Sequence, residues 1–203
     1  MKRLFFVIVL LILPFAFVLA DEDKETEDFN LGIFVETSTD EEVKAFVLES
    51  PERINKGYGP SNNTILHAAV LEGRYDLIKF LLDSGADPNL VDAANASPLA
   101  SAAEECNFEI VKLLLAYKAN PNIRCNSDMS PAIGVIFSLH SSNRNDHFEN
   151  AKKVVELLAP QTEFENDDDI TLAESSINDE RDSIVKAKKI ELLNIFKAKA
   201  IKH

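Results

Sequence analysis

Thr64-Ile65-Leu66-His67, Ser97-Pro98-Leu99-Ala100 and Ser130-Pro131-Ala132-Ile133 stand 33 residues apart, and each opens an apolar helical segment. Two further markers keep the same step. Leu77-Ile78-Lys79-Phe80-Leu81-Leu82 recurs as Ile110-Val111-Lys112-Leu113-Leu114-Leu115, and Asp87-Pro88-Asn89 recurs as Asn120-Pro121-Asn122. Three independent markers on one period mean that the chain is built of repeats.

A Thr or Ser hydroxyl accepts from the free amides of a helix's first turn, and a proline just after it forfeits only an amide that had no partner. Ser97-Pro98 and Ser130-Pro131 therefore read as helix starts. Ala69, Ala102 and Ala103 leave room for a second helix to approach. That helix presents Leu77, Ile78, Leu81 and Leu82, or Ile110, Val111, Leu114 and Leu115, at three-and-four spacing on one side. Gly85 supplies the left-handed residue that ends the first of these helices, and Lys118 must take the same conformation in the next unit. Pairs this short cannot bury their own seams, so neighbouring pairs must stack.

On these residues the chain resembles the ankyrin repeat family. Thr64-Ile65-Leu66-His67 is the best match to its threonine-proline-leucine-histidine opening; Gly73 and Cys106 fall at its interhelical glycine. The resemblance covers roughly Thr39 to Leu158. It implies an all-α solenoid of stacked antiparallel helical pairs with short hairpin-like connectors, and a histidine at 67 that hydrogen-bonds nearby backbone. It leaves activity open, because the family puts one scaffold to many uses.

The third clear unit departs from the period. Its second-helix signature, Val154-Val155-Glu156-Leu157-Leu158, follows Ile110-Val111 by 44 residues, so eleven residues are inserted. Their polar composition predicts a loop over 139–149, between the two helices. Upstream, Thr39-Asp40-Glu41-Glu42 reads as a capping box, with a short helix over Leu31–Val35 before it. Downstream, Thr171-Leu172-Ala173-Glu174 reads as another, ahead of a last helix with Ile190, Leu193 and Phe196 on one side and Lys188, Lys189, Lys197 and Lys199 on the other. The expected units are 31–56, 60–92, 93–125, 126–160 and a degenerate cap over 168–200 with a wetted outer face.

Residues 1–20 differ from the rest: Lys2 and Arg3, then a nearly unbroken apolar run from Leu4 to Leu19, then Ala20 before Asp21. The pattern predicts a signal peptide followed by an acidic linker over 21–30, and hence a periplasmic or secreted protein. An uncleaved anchor over Leu4–Ala20 is the alternative.

The chain of 203 residues carries a formal charge of -13, which loss of Lys2 and Arg3 would take to -15. With no basic stripe to offset it, nucleic acid is excluded as a partner. No phosphate loop, serine elbow or paired-cysteine motif is present, so neither catalysis nor a cofactor is expected. His140 and His147, with Asp146 and Glu149, offer metal-ligand types but match no closed zinc spacing. Cys106 and Cys125 are expected at opposite ends of the helices, roughly 12 Å apart, and hence unpaired.

The function expected is a non-enzymatic protein-binding module. Its candidate contacts are Asn62, Asn63, Asp92, Asn95, Ser127 and Asp128 at the connector tips, beside the first helices. Its partner is expected to be a protein of basic or mixed charge. A membrane-tethered structural protein and a small metal-binding protein using the inserted loop are the alternatives.

Overall fold

The computed structural model describes residues 30–125, 128–140, 145–164 and 168–202. The expected signal peptide over 1–20, nearly all of the expected linker over 21–30, Ser127 and residues 141–144 lie outside them.

Ten helices follow one another among the described residues. Helix α1 (Leu31–Thr37) starts where the Asn30 side chain accepts from Ile33 N at 3.1 Å. Helix α2 (Asp40–Glu49) starts on the Thr39 capping box, with Thr39 N donating to Glu42 Oε2 at 2.8 Å and Glu42 N to Thr39 Oγ1 at 3.3 Å. A 3-10 turn over Pro51–Asn55 leads to α3 (Ile65–Leu71) and α4 (Tyr75–Asp83). The next pair is α5 (Pro98–Glu104) and α6 (Phe108–Ala116). Then come α7 (Pro131–Ser138) with α8 (Asn145–Leu158), and α9 (Asp168–Asp179) with α10 (Ser183–Lys199).

The ten form five pairs in two layers. The first helices, α1, α3, α5, α7 and α9, pack each on the next; behind them α2 lies on α4, α6 on α8 and α8 on α10. The three-and-four pattern explains why: Leu77, Ile78, Leu81, Val111 and Leu114 are fully buried between the layers. Each contributes about 2 kcal/mol by leaving water. Ala69, Ala102 and Ala103 are buried as well, so the small residues lie where backbones come close.

The backbone repeats with the sequence. Positive φ recurs at Asn62, Asn95 and Asp128 (53°, 56° and 56°), at Gly73 and Cys106 (66° and 52°), and at Gly85 and Lys118 (96° and 65°). Each set is spaced by 33, so the same turn geometries return from one inner unit to the next.

The connectors are not strand hairpins. Each closes a turn at its left-handed residue, with Asn62 N donating to Gly59 O at 3.1 Å, Asn95 N to Asp92 O at 3.1 Å and Asp128 N to Cys125 O at 2.8 Å. The helix cap follows two residues later, at Thr64, Ser97 or Ser130, too soon for a ladder to propagate. Among the described residues one isolated antiparallel bridge, Tyr58 with Asn63, is all that forms there. The only strands described were not expected: β1 (Glu163–Phe164) pairs in parallel with β2 (Ile201–Lys202) and ties the chain end back to the fourth unit.

Four details correct the sequence reading. The insertion is not all loop: α8 begins at Asn145, so Asp146, His147 and Glu149 are helical and the second helix grows from nine residues in α4 and α6 to fourteen. Phe148, at 8% exposure, explains the growth, because it supplies one more apolar turn against α10. Ser130 holds the cap position of α7 but its side chain caps no amide. Its hydroxyl is buried without a partner among the described residues, while Ile133 N bonds the Ser130 carbonyl at 3.0 Å. Thr171 lies within α9, which starts three residues earlier at Asp168. Lys189 points inward, where its ammonium is 3.2 Å from Glu180 and donates to Ser176 Oγ at 3.3 Å; Ile190 faces water instead.

Candidate partner-binding surface

Five of the six tip residues expected from the sequence, Asn62, Asn63, Asp92, Asn95 and Asp128, lie in the connector turns, and most of their polar atoms build those turns; Ser127 lies outside the described residues. Asp92 Oδ1 accepts from Ala94 N and Ala96 N, both at 2.8 Å. Asn62 Nδ2 donates to Val91 O at 3.4 Å, joining one tip to the next. Asn63 holds the Tyr58 bridge, and Asp128 pairs with Arg124 at 2.8 Å. Asn62, Asn95 and Asp128 are equivalent left-handed positions, a role that favours asparagine and aspartate whatever the tip meets.

The first-helix layer has its own open face, which the sequence reading left out. Leu71, Glu104 and Phe137 recur at 33 and mark the same place on α3, α5 and α7. Leu71 is 54% exposed and Phe137 37%, although the rest of α3 and α7 is almost wholly buried. Glu104 lies over Gly134 of the next unit; a Cβ at Gly134 would stand 3.2 Å from Glu104 Cγ. Its carboxyl is held above the usual range, first by this partial burial and then by the charges of Glu105 and Asp92. Among the described residues no cation pairs with Glu104 or Glu105. The row runs on to a cleft of about 540 Å³ lined by Phe137, Leu172, Ser175, Asp179 and Arg181. The face is thus apolar at two points and acidic between them. Its signal in the sequence was the 33-residue step taken at the helix ends instead of the helix starts.

His67 is structural. Thr64 N donates to its Nδ1 at 3.2 Å, and its Nε2 lies 3.2 Å from Ala96 O of the next tip. Those partners require the neutral ring with its proton on Nε2. Burial, the largest influence, holds the imidazole below its ordinary range, against the pull of the Ala96 carbonyl and the Asp92 charge.

Asparagine side chains also join successive units, in the segments that precede each tip. Asn55 accepts from Asp87 N at 2.8 Å, Asn89 from Asn120 N at 2.7 Å, and Asn122 from Glu163 N at 2.8 Å. Across the irregular fourth unit, Arg124 reaches the fully buried Asp169 on α9 at 2.8 Å.

With tips, histidine tie and asparagine ladder in view, comparison with known families returns one match: the model of ankyrin repeats, in three copies, over residues 35–125. Residues 35–125 are an ankyrin-repeat domain. The stacking of helical pairs continues through α7 to α10, beyond the matched stretch. No curated protein matches the chain. Ankyrin repeats are non-catalytic scaffolds. Cys106, buried at the interhelical turn, and Cys125 are both free thiols. Among the described residues, which do not include 1–29, no three His, Cys, Asp or Glu side chains converge as metal ligands, and no helix is long and apolar enough to cross a membrane.

Proposed function

We propose that this chain is a protein-binding ankyrin module working in the periplasm or outside the cell, and that it holds its partner on the open face of the first-helix layer. The row of Leu71, Glu104 and Phe137 carries the reading. Exposed apolar side chains on a rigid layer act as anchors. The acidic groups between them, Glu104 and Glu105, have no internal cation and favour a partner segment that offers Lys or Arg beside an apolar residue. Asn62, Asn95 and Asp128, with Asn63 and Asp92 beside them, form a rim that contributes less than the central row.

Capture of partners from the native envelope tests this. Leu71→Asp and Glu104→Arg, both at exposed positions, are expected to abolish the capture that the unchanged chain gives, while Lys112→Glu on the far face of α6 leaves it intact. Retention of the same partners by both row variants would overturn the assignment. The location rests on the basic start, the apolar run and the small residue before Asp21. Amino-terminal sequencing of natively produced protein that begins at Asp21 supports release from the membrane, and a chain still beginning with residues 1–20 supports the tethered alternative.

A further inference from the structure

We propose that copies of this chain associate head to tail, the α9–α10 end of one stack seating on the α1–α2 end of the next. The end positions of a solenoid can be judged against the inner units, where the same positions are covered. Ile33 stands 34 residues before His67 and Glu36 the same distance before Val70, and both inner residues are buried. Ile33, in the first described unit, is 56% exposed. Leu48 is likewise the counterpart of Leu82: the first is 65% exposed and the second 5%. At the other end, the side of α10 turned away from α8 and α9 shows Ile184 at 68%, Ala187, Ile190 at 43%, and Asn194. Solenoid ends that face water are normally polar. Both ends here expose large apolar side chains.

Charge selects the occupant and its direction. Glu36, Glu41, Glu49 and Glu52 lie on the elements that carry the exposed Ile33 and Leu48, Glu41 paired with Lys44 and Glu49 with Arg53; α10 carries Lys186, Lys188 and Lys199, Lys188 over the Phe148 ring. Glu36 and Glu52 at one end, and Lys186 and Lys199 at the other, take part in no ion pair among the described residues. Like ends brought together would oppose carboxylates with carboxylates or ammoniums with ammoniums. Unlike ends bring apolar to apolar and acid to base. A contact between two different patches that does not return on itself builds open chains, not closed dimers.

The test is average mass by light scattering over a range of concentrations, on the protein in the form its producing cell yields. The expected result is a mass that climbs past that of a dimer without levelling, and falls when salt screens the end charges. Ile33→Lys and Ile184→Glu change exposed residues, and circular dichroism should match the unchanged chain. Each variant alone is expected to stay at the mass of one copy, and mixing the two to restore association, because each supplies the end that the other lacks. A single-copy mass for the unchanged chain at every concentration would overturn the proposal. So would association that persists in either variant alone, the mark of like-end pairing or of adhesion through residues 4–19. A mixture that remains at one copy would overturn it too, and is the outcome if residues 21–29 fold over the α1–α2 end.

Discussion

At the scale of single residues, the repeat is written most clearly in backbone conformation. The column that holds Gly85 in one unit holds Lys118 in the next, both left-handed, and only the glycine does so without a Cβ clash. Lys118 is exposed and its side chain has no packing to lose, so Lys118→Gly is expected to stabilise the fold by about 0.5–1 kcal/mol, seen as a higher urea midpoint. His67 gives a pH dependence of definite sign. The unfolded chain takes up a proton near the ordinary imidazole value of 6.5, whereas the buried ring, bonded through Nδ1 to Thr64 N, resists it to lower pH. Stability from this residue is therefore complete above about pH 6.5 and is lost as the pH falls from there towards the depressed folded value. His147 is depressed by burial in the same direction. His67→Gln should lose about 1–2 kcal/mol at neutral pH and flatten the acid limb of a melting-temperature profile without abolishing it.

Among the helices, α7 shows how far a regular unit can be bent to local needs. Gly134 lies in its interior, where glycine is unfavourable, and the neighbour a Cβ would meet is the exposed side chain of Glu104. That side chain can move by the few tenths of an ångström required, so Gly134→Ala is expected to raise the urea midpoint by about 0.5–1 kcal/mol of stability. If the Glu104 carboxylate belongs to the partner's site, the same change should weaken binding while it strengthens the fold. Helix starts at Thr39, Thr64 and Ser97 were legible in the sequence because a cap is a local bargain between neighbouring residues. Ser130 looked the same and behaves differently, because its surroundings come from Asp169, thirty-nine residues away. The inserted segment misled for a related reason: Asn145, Asp146 and Glu149 read as loop by composition, yet Phe148 packs under α10 and carries them into α8. Lys189 was assigned to water by its charge, and its partner Glu180 sits across the turn between α9 and α10. The row of Leu71, Glu104 and Phe137 kept the period but lay at helix ends, where no cap or turn marks a position as special.

For the whole molecule, stability is the sum of units and the joints between them. The asparagine ladder repeats from joint to joint, and the histidine tie is made once, by His67. The joint at the fourth unit is of another kind, a single guanidinium of Arg124 bound to a carboxylate, Asp169, that is 1% exposed. Asp169→Ala removes a charged hydrogen-bonding partner from a buried place, and about 2–3 kcal/mol should be lost. The loss should be local, so hydrogen exchange would quicken over α7 to α10 while α3 to α6 keep their protection. Cys106 lies at the other end of α7 from that joint, with its sulfur 3.8 Å from Ser138 Oγ and its thiol pushed up to about 11, chiefly by burial. At neutral pH almost none of it is thiolate, while Cys125 lies half-buried at a tip. A maleimide should therefore modify Cys125 promptly and Cys106 only when the third and fourth units part. The chain thus carries its own chemical clock: the slow label counts how often the stack opens in the middle, and the fast label stands beside it as the internal standard.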